Sequence, residues 1–447
     1  MKRKPNILIF VMDTQRVDNL GCYGYDKQTT PNIDKIAEEG TVFLNNITPA
    51  VWTLPSHASL FTGLYQYTHG AGVFHDYLSS SHSTIAETLN LMGYRTVGFF
   101  ANMWASQSNK GFREFFLVHE GSSEDPKGSL HRIRHAIKWI EENYTGSTPF
   151  FMFIQCMEPH LPCWPPSPFR ERFLMKGVRE EEAIKVNQDP NLVRSGKVRM
   201  KDRDWAIIAS LYDGETATLD SRIGILYEHL KQKDILDDTL FIITSDHGDM
   251  HGEHYYLGNH HQLMGHHLCV YEELIHVPLI VRYPEKFPPG KRVENLTQTL
   301  DIFPTISEIL GIEVKDLQGY SLLSSLTERP KRNFTLTEYQ KSLLMADRNM
   351  NVDPDFDFRV FNRWLKAYRE GKYKYIWASD GRDELYDLEK DPREKENLAS
   401  LMPQKVKEMK DKLERLLSSL PKGEYKGEIR HPRKVENMRR LKVWEMY

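Results

Sequence analysis

Five apolar runs, each the length of a strand, punctuate the chain: Asn6–Met12, Thr96–Ala101, Phe150–Cys156, Thr239–Thr244 and Val277–Arg282. Their hydrophobic positions are near-continuous rather than alternating, the pattern of strands buried on both faces of a parallel sheet. Between them the apolar period becomes helical. Thr30-Pro31 opens one helix, with Pro at the first helical position, and Gly40 closes it. Thr84-x-x-Glu87 reads as a capping box, with Gly93 as the stop. Leu130, Ile133, Ile137 and Ile140 form one helical stripe, and Trp205 to Leu230 predicts a long helix. The alternation predicts an α/β fold, an open sheet with helices on both sides. Past about Leu326 the segments shorten and become more aromatic and charged. Tyr373–Trp377 and Glu384–Leu388 predict antiparallel strands, and Val406, Met409, Leu413, Leu416 and Leu420 line one face of an amphipathic helix. The expected division is a catalytic α/β domain over 1–326, a smaller C-terminal α+β unit over 327–420 and a basic tail over 421–447. The tail, ending Val443-Trp444-Glu445-Met446-Tyr447, reads either as a loosely docked segment or as a subunit-contact arm for a homo-oligomer.

Composition narrows the class. Of 447 residues, 40% are hydrophobic and 27% charged, which excludes a disordered or fibrous chain. Lys+Arg 59 against Asp+Glu 62 leaves a net charge of −3, so nothing draws the whole chain to nucleic acid or anionic lipid. Any anion-binding site must be local. Cys22, Cys156, Cys163 and Cys269 are too few for a disulfide scaffold and lack the paired spacing of a structural zinc site. No run approaches the ~20 apolar residues of a membrane span. The apolar stretch after Met1-Lys2-Arg3-Lys4 is too short for a secretory leader, so a cytoplasmic location is expected. The unusual count is 18 histidines, which predicts activity steep in pH near neutrality if several of them work.

Ligands of open α/β sheets bind beyond the carboxyl ends of the strands. The first strand ends in Asp13, the third run leads into Met157-Glu158-Pro159-His160, and the fourth into Ser245-Asp246-His247-Gly248. Asp13, Asp246 and His247 thus form a candidate ligand set for one divalent metal. Mixed carboxylate and imidazole donors favour Mn²⁺ or Zn²⁺, with Ca²⁺ or Mg²⁺ as alternatives. In Trp52-Thr53-Leu54-Pro55-Ser56-His57, Pro55 suits the first turn of a helix that Gly63 ends. Thr53 is then either a plain N-cap or a hydroxyl nucleophile activated by the metal and the helix N-terminus.

Together these segments resemble the sulfatase family of the alkaline phosphatase superfamily, from Pro5 to about Ala399. Pro5-Asn6-Ile7-Leu8 through Asp13-Thr14-Gln15-Arg16 is similar to the family's first metal-binding strand. Gly21-Cys22-Tyr23-Gly24 and Thr30-Pro31-Asn32-Ile33-Asp34 follow in family order. Thr53 to Gly63 falls on the C/S-x-P-S-R…T-G signature. Pro159-His160-x-Pro162 resembles the substrate-contacting histidine loop, and Ser245-Asp246-His247-Gly248 with Gly252-Glu253-His254 the second metal segment. Tyr271-Glu272-Glu273, Val277-Pro278-Leu279-Ile280-Val281, Asp301-Ile302-Phe303-Pro304-Thr305 and Glu384-Leu385-Tyr386-Asp387-Leu388 also match. The resemblance implies an alkaline-phosphatase-like sandwich with a large, mixed, mostly parallel sheet between helices, plus a short antiparallel sheet in the C-terminal unit.

The departures bear on chemistry. Sulfatases carry Cys or Ser at the Thr53 position and oxidise it to formylglycine; a secondary alcohol would give a ketone instead. The signature Arg is His57, a second acidic ligand is Thr14, and the calcium-type Asn is His247. Asp213 lacks the His four residues on that two-metal relatives use, Ala217 standing there, so one metal is expected. The resemblance then implies Thr53 as nucleophile and fourth ligand, His160 and His266 (with His57) as catalytic imidazoles, and Asn102 and His267 as substrate contacts. His251, His254, His260 and His261 are expected to be surface or supporting residues. The function expected is hydrolysis of a small anionic ester, a phosphoric (di)ester or phosphonate through a phospho-threonine. The alternatives are a sulfuric ester hydrolase and a non-catalytic binding protein.

Overall fold

The computed structural model describes residues 4–72, 75–117, 121–122, 124–256, 261–327, 329–340 and 363–423. The proposed contact arm at Val443–Tyr447 and His260 lie outside the described residues.

The strands are β1 (Asn6–Asp13), β2 (Thr41–Ile47), β3 (Arg95–Phe100), β4 (Glu114–Leu117), β5 (Phe150–Pro159), β6 (Thr239–Ser245), β7 (Met250–Tyr256), β8 (His261–Gly265), β9 (Leu279–Arg282), β10 (Lys291–Gln298), β11 (Phe334–Tyr339), β12 (Leu365–Glu370), β13 (Tyr373–Ala378) and β14 (Glu384–Asp387). Eight of them form one sheet in the order β10-β2-β9-β6-β1-β5-β3-β4. β1 lies near its centre, parallel to β5 and β6, and every residue of β1 is buried. Leu8, Phe10 and Met12 face one core layer, with the helices Pro31–Glu38, Ser129–Asn143 and Asp202–Gln232. Ile7, Ile9 and Val11 face the other, with the helices Thr53–Thr62, Ile85–Leu91 and Ile302–Leu310. This two-sided burial is what the near-continuous apolar runs express.

β9 departs from the parallel expectation: it runs antiparallel to both β6 and β2. All four of its residues are buried, and burial on both faces gives the same apolar run whichever way a strand points. The capping box of the helix Ile85–Leu91 is present: Thr84 accepts from the Glu87 amide and the Glu87 side chain from the Thr84 amide.

The C-terminal part is a four-stranded antiparallel sheet, β11-β12-β13-β14, with Met409 and Leu413 of the helix Pro403–Ser419 packed on it. It shares its cores with the larger unit. Tyr65 and Leu300 join one face, and Ile47, Val51 and Leu274 join the other. A buried pair, Arg332 with Asp301 (2.5 Å), crosses the same junction. No helix among the described residues is long and apolar enough to cross a membrane.

Candidate metal and catalytic site

Seven strands of the large sheet point one way, so their carboxyl ends share an edge. β1 ends there in Asp13, β6 leads into Asp246 and His247, β5 into His160, β3 into Asn102, and β2 through a short loop into Thr53. The turn after β1 is sharp. Thr14 sits at φ 63°, a left-handed conformation that a β-branched residue rarely adopts. That turn lets the Thr14 N–H donate to Asp246 Oδ1 at 3.2 Å.

Every remaining polar contact of the three candidate ligands leaves one atom without a partner. Asp13 Oδ2 accepts from Gln155 Nε2 (2.8 Å) and Asn102 Nδ2 (3.0 Å), leaving Oδ1. Asp246 Oδ1 accepts the Thr14 and His247 amides, leaving Oδ2. His247 Nδ1 lies 3.0 Å from the Gly248 carbonyl, to which it donates, leaving the Nε2 lone pair. Asp13, Asp246 and His247 each offer one ligand atom within 4.8 Å of the others, and all three residues are buried. Burial, reinforced by the Asp246 charge, pushes the Asp13 carboxyl well above its usual range, and burial pushes Asp246 up to about 7. Two buried carboxylates with no facing cation and a lone imidazole nitrogen suit a divalent ion.

Thr53 is not an N-cap. It is the first residue of the helix Thr53–Thr62, with Trp52 as the cap residue, and Gly63 ends the helix at φ 68°. Its hydroxyl makes no capping bond; it accepts from Asn102 Nδ2 at 3.3 Å. The helix start is pinned to the metal segment, since Ser56 Oγ (2.7 Å) and Thr48 Oγ1 (2.6 Å) both donate to the Asp246 carbonyl.

Asn102 departs from its expected role as a substrate contact. Its two amide hydrogens point to Asp13 and Thr53, and its Oδ1 accepts from the Trp104 amide, so the side chain is spent on joining those two candidate site residues. His57 also departs. Its Nδ1 lies 2.8 Å from the Thr53 carbonyl and 3.8 Å from Asp246 Oδ2, and its ring packs on Phe61 and Phe153 with no exposed side-chain surface. It backs the helix, and burial lowers its pKa to about 4.

His160, His266 and His267 do gather beside the ligands. The His266 ring is 4.5 Å from that of His247, 5.0 Å from His160 and 4.7 Å from His267. Burial pushes His160 down to about 3, so titration near neutrality does not come from that imidazole. Asp213, weighed as a second-metal ligand, is consumed by Asn19, Tyr25 and Lys27. His254 stacks on Tyr271 and meets Glu273 at 3.2 Å, and His261 packs on Gly196, both supporting positions.

Sequence reasoning missed two residues. Gln155 holds Asp13 with its amide while its Oε1 accepts from the Ala101 and Asn102 amides, both at 2.9 Å. It lies inside an apolar strand, where a lone Gln is the available signal. Asp249 faces His266 Nδ1 at 3.5 Å and His251 Nε2 at 3.7 Å. Although buried, it is held well below the ordinary carboxylate range by these two imidazoles.

The sulfatase family profile matches residues 5–312, and a profile described as N-sulphoglucosamine sulphohydrolase, C-terminal, matches 259–422. An arylsulfatase of Clostridium perfringens is 26% identical over 95% of this chain and 96% of its own. Human arylsulfatase K is 26% identical over 93% of this chain and 83% of its own. Among solved structures, the phosphonate monoester hydrolase of Agrobacterium radiobacter superposes with a TM-score of 0.73 at 22% identity, covering 93% of this chain and 96% of that one. A protein solved with its substrate D-glucosamine-2-N,6-O-disulfate gives 0.72 at 23% identity, covering 93% and 98%. These structural likenesses speak for the fold.

Proposed function

The chain belongs to the sulfatase family and is a hydrolase of that superfamily; from that premise we propose that it cleaves a small anionic ester with the Thr53 hydroxyl as direct nucleophile. The observation that carries this is the Thr53 hydroxyl at a helix start, tied by Asn102 to Asp13, beside three orphaned ligand atoms.

Enzymes of the family use a divalent metal. Asp13, Asp246 and His247 would hold it here with Thr53, and it would supply Lewis acidity to the nucleophile and the ester oxygens. The mixed donor set supports Mn²⁺ or Zn²⁺. Asn102 holds the Thr53 oxygen in line, and the helix N-terminus favours negative charge on it. The Thr53 oxygen forms a bond to sulfur or phosphorus as the bond to the departing alcohol breaks. The hydroxyl proton passes to His266, which Asp249 supports, and on to the departing oxygen, with His160 beside it. Water then bonds to the sulfur or phosphorus as the bond to Thr53 Oγ1 breaks, and a water proton returns through the imidazole to the Thr53 oxygen.

The names of the relatives support sulfuric esters as the first substrate class. The nucleophile itself favours phosphoric diesters or phosphonates, because a threonine cannot become formylglycine and direct alkoxide attack suits phosphorus. Parallel assays on 4-nitrophenyl sulfate, bis(4-nitrophenyl) phosphate and 4-nitrophenyl methylphosphonate, with metal analysis, decide between them. About one metal equivalent is expected, and Thr53→Ala should lose on the order of 10³-fold in kcat. A Thr53→Ala enzyme keeping most of its activity would remove the direct-nucleophile reading.

A further inference from the structure

The wall beside Thr53 contains hydrogen-bonding groups that the reaction above does not use. Arg194 ends the helix Pro190–Arg194 and is only 3% exposed. Its Nε donates to the Met264 carbonyl at 2.5 Å. Among the described residues no other acceptor and no paired carboxylate meets its guanidinium, which leaves four of its five donors unspent. The backbone makes room for it: Gly265 sits at φ 76°, and a Cβ there would collide with Arg194 Nη2. The guanidinium therefore lies against the turn that carries His266 and His267. Its charge is among the causes that hold His267 well below the ordinary imidazole range, after burial and His266.

An aromatic wall runs from there to the nucleophile. The His267 ring is 6.4 Å from Trp52, which immediately precedes Thr53, and Trp52 packs edge-on against Trp104 at 5.6 Å. Trp52 Nε1 and His267 Nδ1 are buried with no hydrogen-bond partner. Two orphaned ring nitrogens and a guanidinium with no hydrogen-bonded carboxylate thus line the stretch from Gly265 through His267 to Trp52, the residue before Thr53. Asp13, Asp246 and His247 hold the opposite need, for a cation.

We propose that Arg194, with Trp52 Nε1 and His267, binds a second anionic group carried on the alcohol part of the substrate, so that the enzyme selects esters of acidic alcohols over neutral ones. This rests on the ester-hydrolase reading and specifies its substrate class. The apolar faces of Trp52 and Trp104 accommodate the organic skeleton, and the guanidinium receives its carboxylate or sulfate. The signature Arg position is filled by the core-facing His57, so Arg194 brings a guanidinium to the site from a different element.

The test compares 4-nitrophenyl with 3-carboxy-4-nitrophenyl esters of sulfate and of methylphosphonate. The wild-type enzyme should prefer the carboxylated ester in kcat/KM by about tenfold or more, through KM. Arg194→Met should erase that ratio and Arg194→Lys should restore part of it, with urea unfolding confirming that each variant is folded. Binding of the same esters to the Thr53→Ala protein is measured alongside. If esters are hydrolysed with no preference, or with one that survives Arg194→Met, the assignment of Arg194 is wrong and the hydrolase reading stands. If no ester is hydrolysed yet the carboxylated one binds tighter in an Arg194-dependent way, the hydrolase reading fails and the anion site stands. If neither hydrolysis nor selective binding occurs, both fall.

Discussion

One methyl group sets what Thr53 can become. It makes the alcohol secondary and closes the route to an aldehyde, so the reaction proposed above runs on the hydroxyl itself. In that proposal Asn102 positions the hydroxyl, its amide dividing its hydrogens between Thr53 Oγ1 and Asp13 Oδ2. Asn102→Ala should lower kcat by about 10–100-fold while the metal content falls less, because Gln155 still holds Asp13. Steady-state kinetics with metal analysis on the purified variant check this. An unchanged kcat would mean that Asn102 serves the fold alone. The pairing of a weak nucleophile with a saturated amide explains why Asn102, read from the sequence as a substrate contact, is instead spent inside the protein.

At the level of elements, Gly265 joins β8 to the His266–His267 turn in a conformation that favours glycine, and its missing side chain is filled by Arg194. Gly265→Ala should cost about 1–2 kcal/mol in urea unfolding, from the positive φ and the displaced guanidinium together. A fully stable variant would show that the turn adapts without loss. The strands that build the centre of the sheet were legible because burial on both faces writes a continuous apolar run, as in Ile7–Met12 or Leu240–Ile243. β10, Lys291–Gln298, was not legible: it is an edge strand with only partial burial. β2 escaped for a related reason, since its run breaks at Leu44–Asn45, which are only half buried. The direction of β9 was invisible because burial carries no sign of orientation. In the candidate site, the gathering of Asp13, Asp246 and His247 was legible because they end or follow strands, and Thr53 stood out because it opens a helix with its own punctuation. Arg194 and Asp249 were not legible. Arg194 comes from the irregular stretch after His160, and Asp249 gains its meaning only when β8 folds back and brings His266 to it.

Across the whole molecule, the two sheets meet through charge as well as apolar surface. Lys374 of β13 is fully buried between Glu272 (3.0 Å) and Glu394 (2.8 Å), and Arg369 also meets Glu272 at 3.6 Å, so Lys374 is the cation left to Glu394. Burial, reinforced by the Glu272 charge and opposed by Lys374, raises Glu394 to about 8. The folded state therefore holds a proton that the unfolded chain has released above the ordinary carboxylate range. Stability from this group is complete at low pH and falls as pH rises from that range through about 8. Between about pH 5 and 8 the urea midpoint of Glu394→Gln should lack this falling contribution, so the difference between its midpoint and that of the wild type should change steadily across the range. An identical slope in both proteins would refute the assignment. The place of β1 near the centre of the sheet has a consequence in time. Asp246 lies 232 residues beyond Thr14, whose amide it accepts. At ~5–20 residues per second, a ribosome needs on the order of 10–50 s to make that stretch. β5 can cover one edge of β1 first, but the other waits for β6, and with it for the rest of the metal-binding set. A nascent chain in that interval exposes an all-apolar strand edge, so its yield in the cell should depend on what shelters it during translation more than on the stability of the finished enzyme.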